Sequence, residues 1–534
     1  MKHRLLYIPI AFLFMLSFVD CAKKGTPSGG PRDTIPPVIV RSSPENYSTN
    51  FTGDEIEIRF DEYIKLKDLT KELIISPPMK YTPIITPLST SKTLKIKLID
   101  TLKPNTTYSF NFGKSIVDNN EGNQFEYFKY IFSTGSYIDS LKLSGKVKDA
   151  QLISPEIPTT VMLYEANESF NDSLVYSEKP TYITVTKDST GTFELTNLKE
   201  GNYLLLALKE KTNDYIFQPK NDKIGFLNEQ VSVPSDSIYT LTLFKENPDY
   251  KLARPSQVGK NHIVFGYEGH ADSLDVKLLS EVQQDYVATT FKDEKKDTLH
   301  YWFKPTIETD SLNFRVANGN IIDTITVRMR ELYKDSLNIS AVKTGVLKLK
   351  DTFKLRANTP LVSFDAEKFQ VMAKDSSLVE ATIKLNKEYN WAEVFFPKKE
   401  EESYSIELLP GALTDFFERT NDTLNYSLNT RLSSDYGTLN LTLINVNRFP
   451  VIVQMLDSKY NVVAEEYLSE NKTVFFDELS PDKYFLRIIY DDNQNGRWDT
   501  GSFLNRMEPE KIVYYPTQIE VRANWSLNET FTLK

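Results

Sequence analysis

The chain has 534 residues, more than one hydrophobic core can serve, and at roughly 100 to 150 residues per domain it divides into about four or five. Hydrophobic residues make up 40% and charged residues 25%, with 29 Tyr and 32 Phe, a composition that excludes a disordered chain and favours strands. A net charge of −10, without any clustered excess of Lys and Arg, excludes a nucleic-acid footprint.

Residues 1–20 read as a signal peptide, with Lys2 and Arg4 as a basic start and Leu5 to Val19 as an apolar run too short to span a bilayer. Cys21 follows at once. It is the only cysteine, so no intrachain disulfide can form. The arrangement resembles the bacterial lipoprotein signal, which implies cleavage before Cys21 and lipid on its sulfur, an anchor that holds a protein at the membrane surface. Asp20 departs from the small residue usual before that cysteine, although relaxed versions are familiar in lipoproteins of the Bacteroidota. A cysteine that merely follows an ordinary signal peptide is the plainer alternative. Residues 21–37 are then the lipidated cysteine and a flexible linker, since AKKGTPSGGPRDTIPP is too rich in Gly, Pro, Ser and Thr to bury apolar surface. No later apolar run approaches the roughly 20 residues of a membrane helix.

From Val38 onward the chain shows many short runs with alternating apolar residues, among them Glu55 to Phe60, Thr93 to Leu98, Thr107 to Phe112 and Tyr127 to Phe132. Each is bounded by Asn, Asp, Gly or Pro, so the expected class is all-β, a tandem array of β-sandwich domains. Helical patterning is limited to one turn around Leu66 to Leu73. Internal comparison sharpens the division. RFDEY near residue 60 pairs with SFDAE near 364, and YSFNFGKSIVD from Tyr108 pairs with YSIELLPGALTD from Tyr404. TFELTNLKEGNYLLLAL around Phe193 pairs with TVFFDELSPDKYFLRII around Val474, with Leu198 and Tyr203 spaced as Leu479 and Tyr484. The expected domains are 38–135, 136–249, 250–345, 346–431 and 432–534, ordered as type A, type B, an unassigned sandwich, then A and B again.

The segments DTIPPVIVRSSPEN, IEIRFDEYIKL, LKPNTTYSFNFGKSIVDNNEGN and YIFSTG resemble the bacterial Ig-like domain of envelope and S-layer proteins, over residues 33–135. The type B segments are similar to the transthyretin-like, carboxypeptidase-regulatory-type sandwich, with its Asn-Leu-x-x-Gly-x-Tyr turn. The whole chain resembles the Ig-like lipoproteins of Bacteroidota. That resemblance implies anchoring and domain types and carries over no catalytic residue.

His3 leaves with the signal peptide, while His262, His270 and His300 show no spacing that suggests zinc. Neighbouring carboxylates such as Asp61 and Glu62 on a strand point to opposite faces. No nucleophile elbow, phosphate loop or dinucleotide fingerprint occurs. The expectation is therefore a chain that is not an enzyme, with an envelope hydrolase as the last-ranked alternative.

DDNQNGRWDTG offers oxygen ligands at Asp491, Asn493, Asn495, the Arg497 carbonyl and Asp499, with Gly496 at the sharp turn, in the order of a calcium loop. Ser502 stands where the bidentate glutamate belongs, so calcium, the sole candidate cofactor, would bind weakly with help from Glu508 or Glu510. The alternative is an Asx-rich turn with Trp498 packed beneath it. DNNEGN at Asp118 to Asn123 reads as a turn. The tripeptide Asp-Ser/Thr-Leu/Ile recurs at eleven positions, from Asp33 to Asp422. It resembles the O-glycan acceptor of exported Bacteroidota proteins, which makes Ser140, Ser173, Ser273, Thr298, Ser311 and Ser336 candidate acceptors in exposed turns. A polar turn before an apolar strand start is the other explanation.

The expected function is a non-catalytic scaffold or adaptor at the outer membrane, anchored by lipid and docked on a β-barrel protein complex that assembles or exports envelope proteins. A row of five sandwiches suits reaching over a large assembly. A surface glycan- or peptide-binding lipoprotein is the alternative, with Trp302, Trp391, Trp498 and Trp525 as platform candidates. AKKGTPSGG lacks acidic sorting residues, which leaves the periplasmic and external faces both open.

Overall fold

A computed structural model describes residues 33–533 apart from 169, 187, 272 and 273. The expected signal peptide, Cys21, most of the linker and the candidate acceptor Ser273 lie outside these residues. Strands hold 48% of the chain and helix 3%, an all-β protein of stacked sheets. No helix among the described residues is long and apolar enough to cross a membrane. Two compact units are formed, one by residues up to Lys142 with Thr181–Thr184 and Leu195–Glu200, the other by the rest.

The first unit carries sandwich one. One sheet runs Ile39–Ser43, Glu55–Leu66, Ser91–Lys97, Ile84–Thr86, and the facing sheet runs Ile74–Ser76, Thr107–Asn111, Lys129–Ser133. Alternation along Glu55–Leu66 buries Ile56, Ile58 and Phe60 against Leu94 and Ile96 and turns Glu55 and Arg59 to water. Beyond Arg59 the register shifts, so that Ile64 pairs with Ser91, while Ile64, Lys65 and Leu66 also pair with Asp118, Val117 and Ile116. With Ile39–Ser43 on its first half, this long strand serves three partners. Tyr108, Phe110 and Phe132 stack within the core, with ring centroids 5.4 and 6.1 Å apart.

The second unit holds sandwiches three to five and most of sandwich two. Sandwich two orders its strands Tyr182–Val185, Thr160–Glu165, Gly201–Lys209, Lys223–Phe226 over Thr192–Leu198, Leu141–Asp149, Ile238–Leu243. Sandwich five orders Val462–Leu468, Val451–Leu456, Asp482–Tyr490, Ile512–Tyr514 over Val474–Leu479, Gly437–Ile444, Ser526–Thr532. The two match strand for strand. In each, a short strand (Val231–Val233 or Ile519–Val521) also joins the central strand, and the last strand lies parallel to the first. Asn197 and Glu478, one residue before the aligned leucines, both adopt positive φ, of 61° and 47°.

Sandwich four repeats sandwich one down to single hydrogen bonds. The Lys103 and Lys399 N–H groups donate to the hydroxyls of Tyr108 and Tyr404 at 2.8 and 2.7 Å. Thr134 and Thr430 close the same corner by donating to the Lys103 and Lys399 carbonyls. Its first strand, Ile339–Ala341, pairs with Phe353–Ala357, so residues at the end of the expected 250–345 segment belong to sandwich four. Three residues of strand carry too little alternation to mark that start. Sandwich three sets Lys251–Leu252, His262–Glu268, Thr298–Lys304, Val287–Lys292 over Leu274–Leu278, Ser311–Asn318, Ile321–Arg328.

Candidate functional site

The DDNQNGRWD segment leaves the end of the Asp482–Tyr490 strand as a tight loop. Asp491, only 2% exposed, accepts from the N–H groups of Asn495 and Gly496 at 3.1 and 2.8 Å. Asn495 in turn accepts from the Arg497 N–H, and the side-chain amides of Asn493 and Asn495 both donate to Asp499. Gly496 takes φ 77° where the turn reverses, a conformation open to glycine. Glu510 returns to the same place, accepting from the N–H groups of Asp492 and Asp499 at 2.7 and 2.9 Å, while Glu508 stays exposed. Burial, with Asp499 and Asp491 nearby, pushes the Glu510 carboxyl up. The Trp498 indole donates to the Glu510 carbonyl at 3.0 Å. The oxygens read as calcium ligands thus converge, but they accept from the loop's own N–H groups. No group of three or more His, Cys, Asp and Glu among the described residues is placed to hold a metal ion.

Sandwich three brings together two histidines that lie far apart in sequence. His262 and His300 sit on paired strands, with His262 Nε2 2.9 Å from His300 Nδ1 and His300 Nε2 3.5 Å from Asp293. The His262 ring stacks on Trp302 at 3.8 Å, and Phe291 covers His300 at 4.7 Å. Burial, with His300 beside it, drives the His262 pKa down to about 3, so the ring is neutral. His270 is tied elsewhere, its carbonyl accepting from the Asn318 side chain at 3.1 Å.

Trp302 and Trp391 are core residues, 1% and 8% exposed. Trp525 is half exposed, with the Arg522 guanidinium 4.8 Å from its ring centre. Of the candidate glycan acceptors, Ser140, Ser173 and Ser336 are exposed, whereas Thr298 and Ser311 are half-buried first residues of strands. Strands also begin at the last residue of the motifs at Asp139, Asp236 and Asp422, the pattern expected of a polar turn before an apolar strand.

Sequence patterning missed a group of tyrosines on sandwich one. Tyr47, Tyr63, Tyr81, Tyr127 and Tyr137 are each between 55% and 62% exposed. Tyr47 and Tyr127 hold φ of 66° and 58°, a costly conformation for a bulky side chain, and their N–H groups are fixed to the Ile131 and Gly113 carbonyls at 2.7 Å. Tyr63 lies on the Glu55–Leu66 strand, while Tyr47, Tyr81, Tyr127 and Tyr137 sit in turns and bends.

Residues 33–134 match the family described as bacterial Ig-like domain. No curated protein matches the chain. Solved structures that align with it include domains 1–6 of the surface layer protein SbsC, at 14% identity over 91% of this chain and 67% of that one, with a TM-score of 0.17. The Bacillus anthracis TIE protein aligns at 11% identity over 98% and 78%, with a TM-score of 0.15. A Bacteroides ovatus protein, SGBP-B, solved with a mixed-linkage heptasaccharide, aligns at 10% identity over 71% and 94%, with a TM-score of 0.18.

Proposed function

We propose that this chain is a non-catalytic scaffold of the bacterial envelope, tethered to the outer membrane by lipid on Cys21. Its sandwiches dock on an outer-membrane β-barrel complex that assembles or exports proteins. The observation that carries the docking is the set of exposed tyrosines on sandwich one. Tyrosine offers a large, rigid contact area with a polar tip and is enriched at binding hot spots, and strain in Tyr47 and Tyr127 is of the kind retained where a side chain must be presented. A fold made of closed cores, in which His262 and His300 are packed under Trp302 and Phe291, suits bracing.

Two variants of the lipidated protein test this reading. Cys21→Ser should move the protein out of the membrane fraction, and a variant that still sediments with membranes refutes the anchor. Changing Tyr47 and Tyr127 to Ser should reduce recovery of barrel proteins in a pull-down at least several-fold. Equal recovery, or none from the parent protein, refutes the docking.

A further inference from the structure

Sandwiches two and five share every strand but differ in their loops, above all in the one that follows the central strand. Between the matching strands, sandwich two has residues 210–222, folded on themselves around the Glu210 carboxylate. Sandwich five has the longer segment 491–511. Its distal part closes as a small hairpin, Ser502 bridging to Met507 and the Arg506 N–H donating to the Phe503 carbonyl at 3.0 Å. This places Phe503 and Arg506 on one side and leaves Leu504 and Met507 in water, 57% and 55% exposed.

Both inward residues land on sandwich two, more than 250 residues earlier in the chain. Phe503 is fully buried, with ring centroids of Tyr176 and Phe226 at 6.3 and 5.4 Å, and its N–H donates to Glu246. Arg506 reaches Asp172 through two bonds, one of 2.9 Å, and also donates to the Leu227 carbonyl at 3.3 Å. Thr500 donates to the Lys245 carbonyl at 2.6 Å. Gly501 lies so close to Phe244 that a Cβ there would fall 2.8 Å from its ring. A second contact joins the same pair, since Arg487 and Tyr514 both donate to the Gln151 carbonyl.

Sequence neighbours are linked as well. Lys220 meets Glu268, Lys304 meets Glu418 and the Leu349 N–H meets Glu478, which connects two to three, three to four and four to five. These three are exposed ion pairs or single bonds, weak by themselves. Sandwiches three and four also meet through the Trp302 and Phe417 rings, 6.0 Å apart, and through Lys292 with Glu388. The contact from five back to two likewise buries an aromatic side chain among aromatics and flanks it with a two-bond Arg–Asp pair.

We propose that residues 499–507 are a strap that fastens sandwich five onto sandwich two and so locks sandwiches two to five into one closed body. The strap joins two sandwiches that are not neighbours in the chain, as the Gln151 contact also does. The longer loop of sandwich five exists for this contact, which is why its shorter counterpart in sandwich two suffices for the same strand set.

Hydrogen exchange on the full-length, detergent-solubilised protein tests the strap. Arg506→Glu and Phe503→Ala should each raise deuterium uptake several-fold in residues 500–507 and also in 172–176 and 243–246, with the strands of sandwich four unchanged. Pairing Arg506→Asp with Asp172→Arg should restore protection at both sites, a result that loss of folding in either single variant cannot imitate. If uptake at 172–176 is the same in Arg506→Glu as in the parent, or if the charge swap restores nothing, sandwich five is not fastened in this way.

Discussion

Asp118 and Asp415 occupy the same corner of sandwiches one and four, and in both a single carboxylate holds the turn that follows. Asp118 accepts from the N–H groups of Glu121, Gly122 and Asn123, and these bonds hold its carboxyl below the usual range in spite of burial. Asp415 is wholly buried and accepts from the N–H groups of Phe417 and Arg419, from the Arg419 guanidinium and from the Thr359 hydroxyl. Asp415→Ala leaves a half-buried guanidinium and two N–H groups without partners. It should cost about 3 kcal/mol or more, read as a lower urea midpoint. Glu210 works in the opposite sense, since burial lifts its pKa from 4.5 to about 7. The folded state therefore holds a proton that the unfolded state has released. This contribution is complete below about pH 4.5 and is lost as pH rises through 7, on the order of 2 kcal/mol once solvent at the half-buried site is allowed for. Glu210→Gln should remove that slope, so its melting temperature gains on the parent protein between pH 5 and pH 8. Equal slopes would show that Glu210 does not titrate in this range.

Among the elements, the last strand of each type B sandwich has the clearest duty. Ser526–Thr532 pairs in parallel with Gly437–Ile444 over seven residues, from Thr438 with Ser526 to Ile444 with Thr532, and it brings Phe531 and Leu533 into the core. Burying a side chain of that size is worth about 2 kcal/mol, and the removed ladder would leave the Gly437–Ile444 edge open. Ending the chain at Trp525 should unfold sandwich five alone, seen as lost protection in residues 437–490 with sandwich one unaffected. Individual strands were legible wherever they alternate, as in Glu55–Leu66. The Ile339–Ala341 strand was not, because three residues in an edge position are defined by their partner rather than by their own pattern. The Asp-Ser/Thr motifs were legible as a recurrence, and many of them stand directly before a strand.

At the scale of the molecule, sandwiches two and five share a strand order, and sandwiches one and four share their corner bonds. Sandwich five contacts sandwich two, so these two are joined in space although two further sandwiches separate them in the chain. The calcium-like loop and the strap occupy one continuous loop of sandwich five, with Trp498 and Glu510 tying its two ends together. Local order was readable from the chain because alternation with period two, turn-forming Asn, Asp and Gly, and repeated spacings act between near neighbours. Three features were decided only by tertiary structure: the meeting of His262 with His300, the exposure of Tyr47 and Tyr127, and the seating of Phe503 among Tyr176 and Phe226. Each depends on which surfaces meet after distant strands have paired, and contacts between residues so far apart leave no period in the sequence.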